Sequence, residues 1–205
     1  MDEPDAELLE RWHGGDEAAG SALVSRHFPA VYRFFRRKGD DRAEDLTQRT
    51  FVACQKSLAR LDEAESFRAF LLGIARNVFL ADVRAEGRRQ QRHERAAREP
   101  ARSQTSPSGY VAAREEQRLL LTAVRTLPIE QQLVLELHYW ETLTTAEMAS
   151  VLEIPQGTVK WRLTKARTAL KEALEGLEAD DALREATVTN LDSWAQSLRA
   201  MLDGE

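Results

Sequence analysis

Cysteine is nearly absent from this chain: Cys54 stands alone among 205 residues, which excludes an internal disulfide and any zinc site built on a cysteine cluster. Its isolation fits an ordinary core thiol, since free cysteine packs as a small hydrophobe. Long apolar runs are missing too. No stretch reaches the length that crosses a bilayer as a helix, and the acidic opening MDEPDAELLERW is unlike a signal peptide; the expectation is a soluble, cytoplasmic protein with no direct membrane insertion. The four histidines, His13, His27, His93 and His138, have no metal-ligand spacing, and there is no glycine-rich phosphate loop or nucleophile motif. No catalytic residue, metal or cofactor is therefore expected. A net charge of −5 argues against a generic nucleic-acid coat. Strand-like runs are scarce, and helix formers dominate.

The chain that remains, 42% hydrophobic, is sufficient for one or two ordinary globular cores, and it reads as all-α. Its charge is unevenly placed, which matters more than the sum. Arg84, Arg88, Arg89, Arg92, Arg95 and Arg98 make one basic run and Lys160 to Lys171 a second, whereas Glu175 to Glu205 is acidic. Between the basic elements, Ala97 to Ala113 gathers Pro100, Pro107, Gly109 and several Ser and Thr without helical periodicity, the composition of a linker. Structureless loops of this length are uncommon inside a compact domain. The expected organisation is a helical domain at 1–96, a flexible linker at 97–113, a second helical domain at 114–176 and an acidic extension at 177–205. Two basic elements on two domains suggest two contacts on one nucleic acid.

In the first domain, Asp5 to His13 predicts a short helix closed by Gly14-Gly15, and Asp16 can cap a second helix through Leu23, Val24, Phe28, Val31, Phe34 and Phe35. A third helix is expected from about Arg42 to Leu61, with Leu46, Thr50, Phe51, Cys54 and Leu58 facing inward. A fourth runs from Ser66 to about Arg89. This last is apolar around much of its circumference, at Phe67, Phe70, Leu71, Leu72, Ile74, Ala75, Val78 and Phe79, which places it centrally. Its far end turns cationic.

The second domain contains LTTAEMASVLEIPQGTVKWRLTKARTALKEAL from Leu143. Thr144 and Glu147 have capping-box spacing, and Met148, Ala149, Val151 and Leu152 supply an apolar face. A turn falls near Glu153 and Ile154, Pro155 suits the first turn of the next helix, and Val159, Leu163, Ala166 and Leu170 repeat as a buried stripe. This is the layout of a helix-turn-helix reader of duplex DNA. Lys160, Arg162, Lys165 and Arg167 lie off the stripe, free for phosphates and base edges. Glu130, Glu136 and Glu141 read as exposed charge near a helix boundary.

Three motifs in order, DLTQRTF at Asp45 to Phe51, FRAFLLGIARNVFLADVR at Phe67 to Arg84, and LPIEQQLVLELHYWETLTTAEMASVLEIPQGTVKWRLTKAR at Leu127 to Arg167, resemble the two-domain sigma factors of bacterial RNA polymerase, the extracytoplasmic-function group of the sigma-70 family. The resemblance covers most of the chain. It implies an alternative sigma factor that binds core RNA polymerase and directs it to promoter DNA through the −10 and −35 elements. Carried over residue by residue, it assigns polymerase docking to Asp45, Leu46, Gln48 and Phe51. Without it, Asp45 and Gln48 read better as a solvated face. Asn77 occupies the position that contacts an exposed base, where an amide can donate and accept, with Arg76, Arg84, Arg88 and Arg89 on adjoining phosphates. A helix-bending Asn and solubilising arginines are the plainer alternative. In the second domain Lys160, Trp161, Thr164 and Lys165 match positions that face bases or nearby backbone, while Arg162 and Arg167 flank phosphates or support the fold.

The chain departs from the family at several points. Trp161 replaces a usual small polar residue; it is either a reader of thymine methyls or a core or interdomain contact. Leu61 stands where relatives often have an aromatic, Ala53 where some have a basic residue, and Phe70 where tryptophan is common; the loop Asp62 to Ser66 is acidic. Past Leu177, LDSWAQSLRAML puts Leu191, Trp194, Leu198 and Met201 or Leu202 on one helical face. That extension either caps the second domain or regulates. If regulatory, its acid competes with DNA for Lys160 to Lys171 or its apolar face clamps the domains, and removing residues from Gly176 onward raises promoter binding. The resemblance also implies a silencing partner, an anti-sigma factor. The alternative reading is a stand-alone helix-turn-helix repressor or activator, which holds its operator without polymerase.

Overall fold

A computed structural model describes residues 3–38, 42–58, 61, 66–96 and 115–176, with the side chains of 90–96 and 115–118 excepted. The expected linker at 97–113, the loop residues 62–65 and the extension at 177–205 lie outside the described residues. The chain divides into two compact units, Met1–Ser106 and Pro107–Glu205. Every described element is helical, in keeping with the all-α reading. No described helix is long and apolar enough to cross a membrane.

Unit 1 is built from α1 (Asp5–His13), α2 (Glu17–Arg37), α3 (Ala43–Ser57) and α4 (Phe67–Ala96). Gly15 takes φ +94, the left-handed turn that separates α1 from Asp16. The Asp16 carboxylate accepts from the Ala18 and Ala19 amides at 2.9 and 3.2 Å, a cap that contributes about 1 kcal/mol. Trp12 of α1 lies over Gly20 of α2, where even a Cβ would sit 2.5 Å from the indole nitrogen. Asp5 ties the same pair of helices, accepting from Arg26 and from the buried His27, each at 2.7 Å.

Leu8, Leu23, Val31, Phe34, Phe35, Leu46, Cys54, Leu71, Leu72, Ala75 and Phe79 close the core. The Lys38 ammonium sits 4.0 Å from the centre of the Phe34 ring, so its stem covers the aromatic edge of that core. Three expected core residues lie elsewhere. Val24 and Phe51 are half-buried, and Phe28 is 37% exposed, stacked with Tyr32 and Phe51 at 6.1 Å between centroids.

Helix α3 stops at Ser57, short of Leu61, because the Leu58 carbonyl takes the Leu61 amide in a tight turn (3.1 Å) and accepts from His13 Nε2 (3.2 Å). Helix α4 runs past Arg89 to Ala96, a tail whose Gln, Arg, Glu and Ala residues favour helix.

Burial pushes the Cys54 thiol from its ordinary value near 9 up to about 12. The unfolded thiol ionises first as pH rises, so this contribution to stability is complete below pH 9 and is lost between pH 9 and about 12. A thiolate-directed reagent at pH 8 is expected to label Cys54 only on unfolding, at least about a hundredfold slower in the native chain than in urea, as the thiolate fraction and access both fall. Native labelling at the free-thiol rate would contradict this packing.

Unit 2 comprises α5 (Glu115–Thr126), α6 (Ile129–Leu135) continuing as a π turn over Glu136–Trp140, α7 (Thr145–Leu152) and α8 (Gln156–Glu175). The Gln132 side chain donates to the Leu127 and Arg125 carbonyls at 2.8 and 3.3 Å, satisfying the open end of α5. Helix α8 is the hub, packed by α5, α6 and α7 through Val159, Leu163, Ala166, Leu170 and Leu174, the stripe read from its periodicity. Thr144 and Glu147 form the capping box of α7, and Met148, Val151 and Leu152 are buried as expected, with Ala149 half-buried. Glu153 closes α7 in the left-handed conformation, and Pro155 is the N-cap of α8 rather than its first helical residue.

Glu136 and Glu141 correct the sequence reading: both are buried, Glu136 on the helical register of the buried Leu133 and Trp140, and Glu141 at the close of the π turn. Only Glu130 is exposed.

Candidate nucleic-acid interface

Helix α4 sorts its polar residues by face. Asn77, Arg84 and Arg88, at spacings of seven and four, share its exposed side. Arg76 lies on the flank and donates from Nη1 to Asn77 Oδ1 at 3.1 Å, while its Nε is buried without a hydrogen-bond partner. A guanidinium only donates, so this bond engages the amide oxygen and leaves the two Asn77 N–H donors for an acceptor. Arg89 turns away from this strip and pairs with Glu86 at 3.1 Å. The side chains of Arg92 and Arg95, and Arg98 entirely, lie outside the described residues.

The outward side of α8 carries Gly157, Lys160, Trp161, Thr164, Lys165 and Thr168, all exposed. Trp161 retains 61% of its surface, which removes the reading of it as a core residue. The other two named cations point elsewhere. Arg162 is drawn to Glu130 of α6 at 3.2 Å, and Arg167 donates to the Tyr139 hydroxyl at 2.8 Å, with His138 Nε2 at 3.1 Å. Both brace α8 against α6 and the π turn that continues it. Gln156 donates to Thr145 Oγ1 at 2.7 Å, linking the first turns of α7 and α8 across the helix-turn-helix. No motif flagged these braces; partners so far apart in sequence meet only through the fold.

On α3, Asp45, Gln48, Arg49 and Val52 form an exposed ridge, with Phe51 half-buried beside it against Phe28 of α2. Leu46 is fully buried and cannot touch a partner; its place on α3 is in the core, one residue off the ridge. Behind the ridge, the Asp82 carboxylate of α4, 6% exposed, accepts from Arg42 at 2.7 and 3.2 Å and from Arg49 at 3.5 Å. The sequence reading missed this cluster, although an acid on the buried register of Ala75 and Phe79 was a visible signal.

Comparisons with known proteins match these same segments. The Sigma-70 region 2 family model matches residues 23–89 and the Sigma-70, region 4 model matches 117–170. The chain is similar to the RNA polymerase sigma-H factor of Pseudomonas aeruginosa, 27% identical over 194 residues that cover 90% of this chain and 98% of the relative. It is also similar to the ECF RNA polymerase sigma-E factor of Haemophilus influenzae, 25% identical over 182 residues, 84% of this chain and 96% of the relative. Among solved structures, CnrH in complex with the cytosolic domain of CnrY shares the fold, with a TM-score of 0.60, 24% identity and coverage of 83% of this chain and 97% of that one.

Proposed function

From the premise that this chain belongs to the sigma-70 family, as an alternative sigma factor of the extracytoplasmic-function group, we propose how its two units divide the work of promoter-specific initiation. Unit 1 docks on core RNA polymerase through the Asp45–Gln48–Val52 ridge of α3, with Phe51 and Phe28 extending the contact. Helix α4 of the same unit takes the −10 element. Asn77 offers its two amide donors to acceptor atoms of an unstacked base, while Arg84 and Arg88 bind phosphates along the same strip. Unit 2 lays α8 in the major groove of the −35 element, Lys160 and Lys165 meeting the duplex from either side of Trp161 and Thr164. Arg162 and Arg167 act from behind as braces.

The protein forms and breaks no bonds itself; polymerase carries the chemistry, and the work takes place in the cytoplasm beside the DNA. An anti-sigma factor, implied by the family, silences the protein by covering these faces. The observation that carries this reading is the pairing, in one chain, of an exposed amide-and-arginine strip on the region 2 segment with an exposed cationic face on the region 4 segment.

Run-off transcription with purified core polymerase on a library of promoter fragments tests it. Transcripts that appear only when the chain is added are expected. No transcripts, together with tight duplex binding in the absence of polymerase, would instead establish a stand-alone repressor or activator.

A further inference from the structure

The most exposed large apolar side chain among the described residues is Trp161, and it stands in the middle of the outward face of α8. Gly157, Trp161, Thr164 and Thr168 follow one another at spacings of four, three and four, a straight stripe along that face. The chemistry of the stripe is unusual for a DNA-reading helix. Thr164 donates its hydroxyl proton to the Lys160 carbonyl at 3.1 Å, and Thr168 donates to the Thr164 carbonyl at 3.2 Å. Both hydroxyl donors are spent on the helix's own backbone. Gly157 contributes no side chain, and a Cβ there would meet nothing within 4 Å, so the backbone is open to close approach. What the stripe presents outward is carbon, with the indole N–H as its one remaining side-chain donor, and it is bordered by the cations of Lys160 and Lys165.

We infer that Trp161 is a specificity-determining residue which reads thymine through its 5-methyl group at the centre of the upstream promoter element. Three observations lead to that ligand. The lysines on either side are complementary to phosphate. A tryptophan left in water forfeits the burial that makes it valuable, so the face is built for a partner with an apolar group. The base edges in the major groove offer one such group, the thymine methyl. The preference is for carbon over hydrogen-bonding atoms, and it separates thymine from cytosine and from uracil. The inference rests on the reading of unit 2 as the reader of the −35 element.

The test replaces each thymine of the upstream element by deoxyuracil, which deletes only the methyl group, and measures binding by the full chain with core polymerase. At one or more positions the wild-type complex weakens about fourfold, the factor that burial of one methyl-sized group is worth. The Trp161→Ser complex shows less than a twofold change at those positions, and Trp161→Phe retains part of the effect. Trp161 is exposed, so matched thermal melts confirm that the variants are folded. Indifference of the wild type to every deoxyuracil, an upstream element without thymine, or equal sensitivity in Trp161→Ser overturns the inference while leaving the sigma-factor reading intact. Absence of any promoter-specific complex overturns both.

Discussion

An Asp45→Ala, Gln48→Ala double variant is expected to bind core polymerase about a hundredfold more weakly than the unaltered chain and to yield no run-off transcript at matched concentration. Interface residues at the centre of a patch cost about 2 kcal/mol or more each on truncation, and such losses do not add fully. The physical basis is exposure. The Asp45 side chain keeps 62% of its surface, and its ion pair with Arg49, at 3.5 Å, is itself exposed. Such a pair contributes little to stability. The double variant should therefore melt within a degree or two of the parent, which separates a docking defect from a folding defect. Polymerase affinity and transcription that both survive the substitution would remove α3 as the docking ridge.

The second large effect is on stability, and it is asymmetric. Arg42→Ala is expected to destabilise unit 1 by about 3 kcal/mol, because it strips the nearest cation from a carboxylate that has almost no access to water. Asp82→Ala should cost less, about 1–2 kcal/mol. It leaves two guanidinium groups whose side chains are 41% and 46% exposed, which water can serve. The Arg42→Ala, Asp82→Ala double variant should lie closer to the parent than the sum of the two singles.

Cys54, buried in unit 1, provides the readout. Its labelling in a urea series follows the opening of that unit. Equal losses for the two single variants, or strict additivity, would show that Asp82 is not held by its arginines. The cluster also bears on function, because it fastens α3, which carries the docking ridge, to α4, which carries Asn77.

Much of unit 2 was legible before any coordinates. The Thr144–Glu147 capping box, the turn at Glu153 and the stripe from Val159 to Leu170 are local signals, each resolved within a few residues by hydrogen bonding or helical period. The same is true of Asp16 and the glycines ahead of it. The errors fall where residue type is a poor guide to burial. Glu136 and Glu141 read as surface charge because acids near a helix boundary usually are, yet both are buried at the two ends of a π turn. Phe28 and Phe51 read as core because aromatics at helical spacing usually are. Here they stack on each other at the surface of α2 and α3, where Phe28 keeps more than a third of its area in contact with water.

The candidate sites divide in the same way. Sequence pattern named the Lys160–Lys165 face from charge placed along one helix, whereas the roles of Asn77, of the α4 arginines beside it and of the Asp45–Gln48 pair came from the resemblance that the motifs carry. It also placed the helix-turn-helix and the family. Tertiary packing decided which cations of α8 serve as braces: Arg162 and Arg167 are turned to Glu130 and Tyr139, whereas the places of Arg84 and Arg88 on the Asn77 strip and the i, i+3 pairing of Arg89 with Glu86 follow helical period within α4. The removal of Leu46 from the docking set and the burial of Asp82 between two arginines belong to the fold as well. Helical period is written in neighbouring residues. The partner that captures a long, flexible charged side chain can come from 28 or 40 positions away, and only packing brings it within reach.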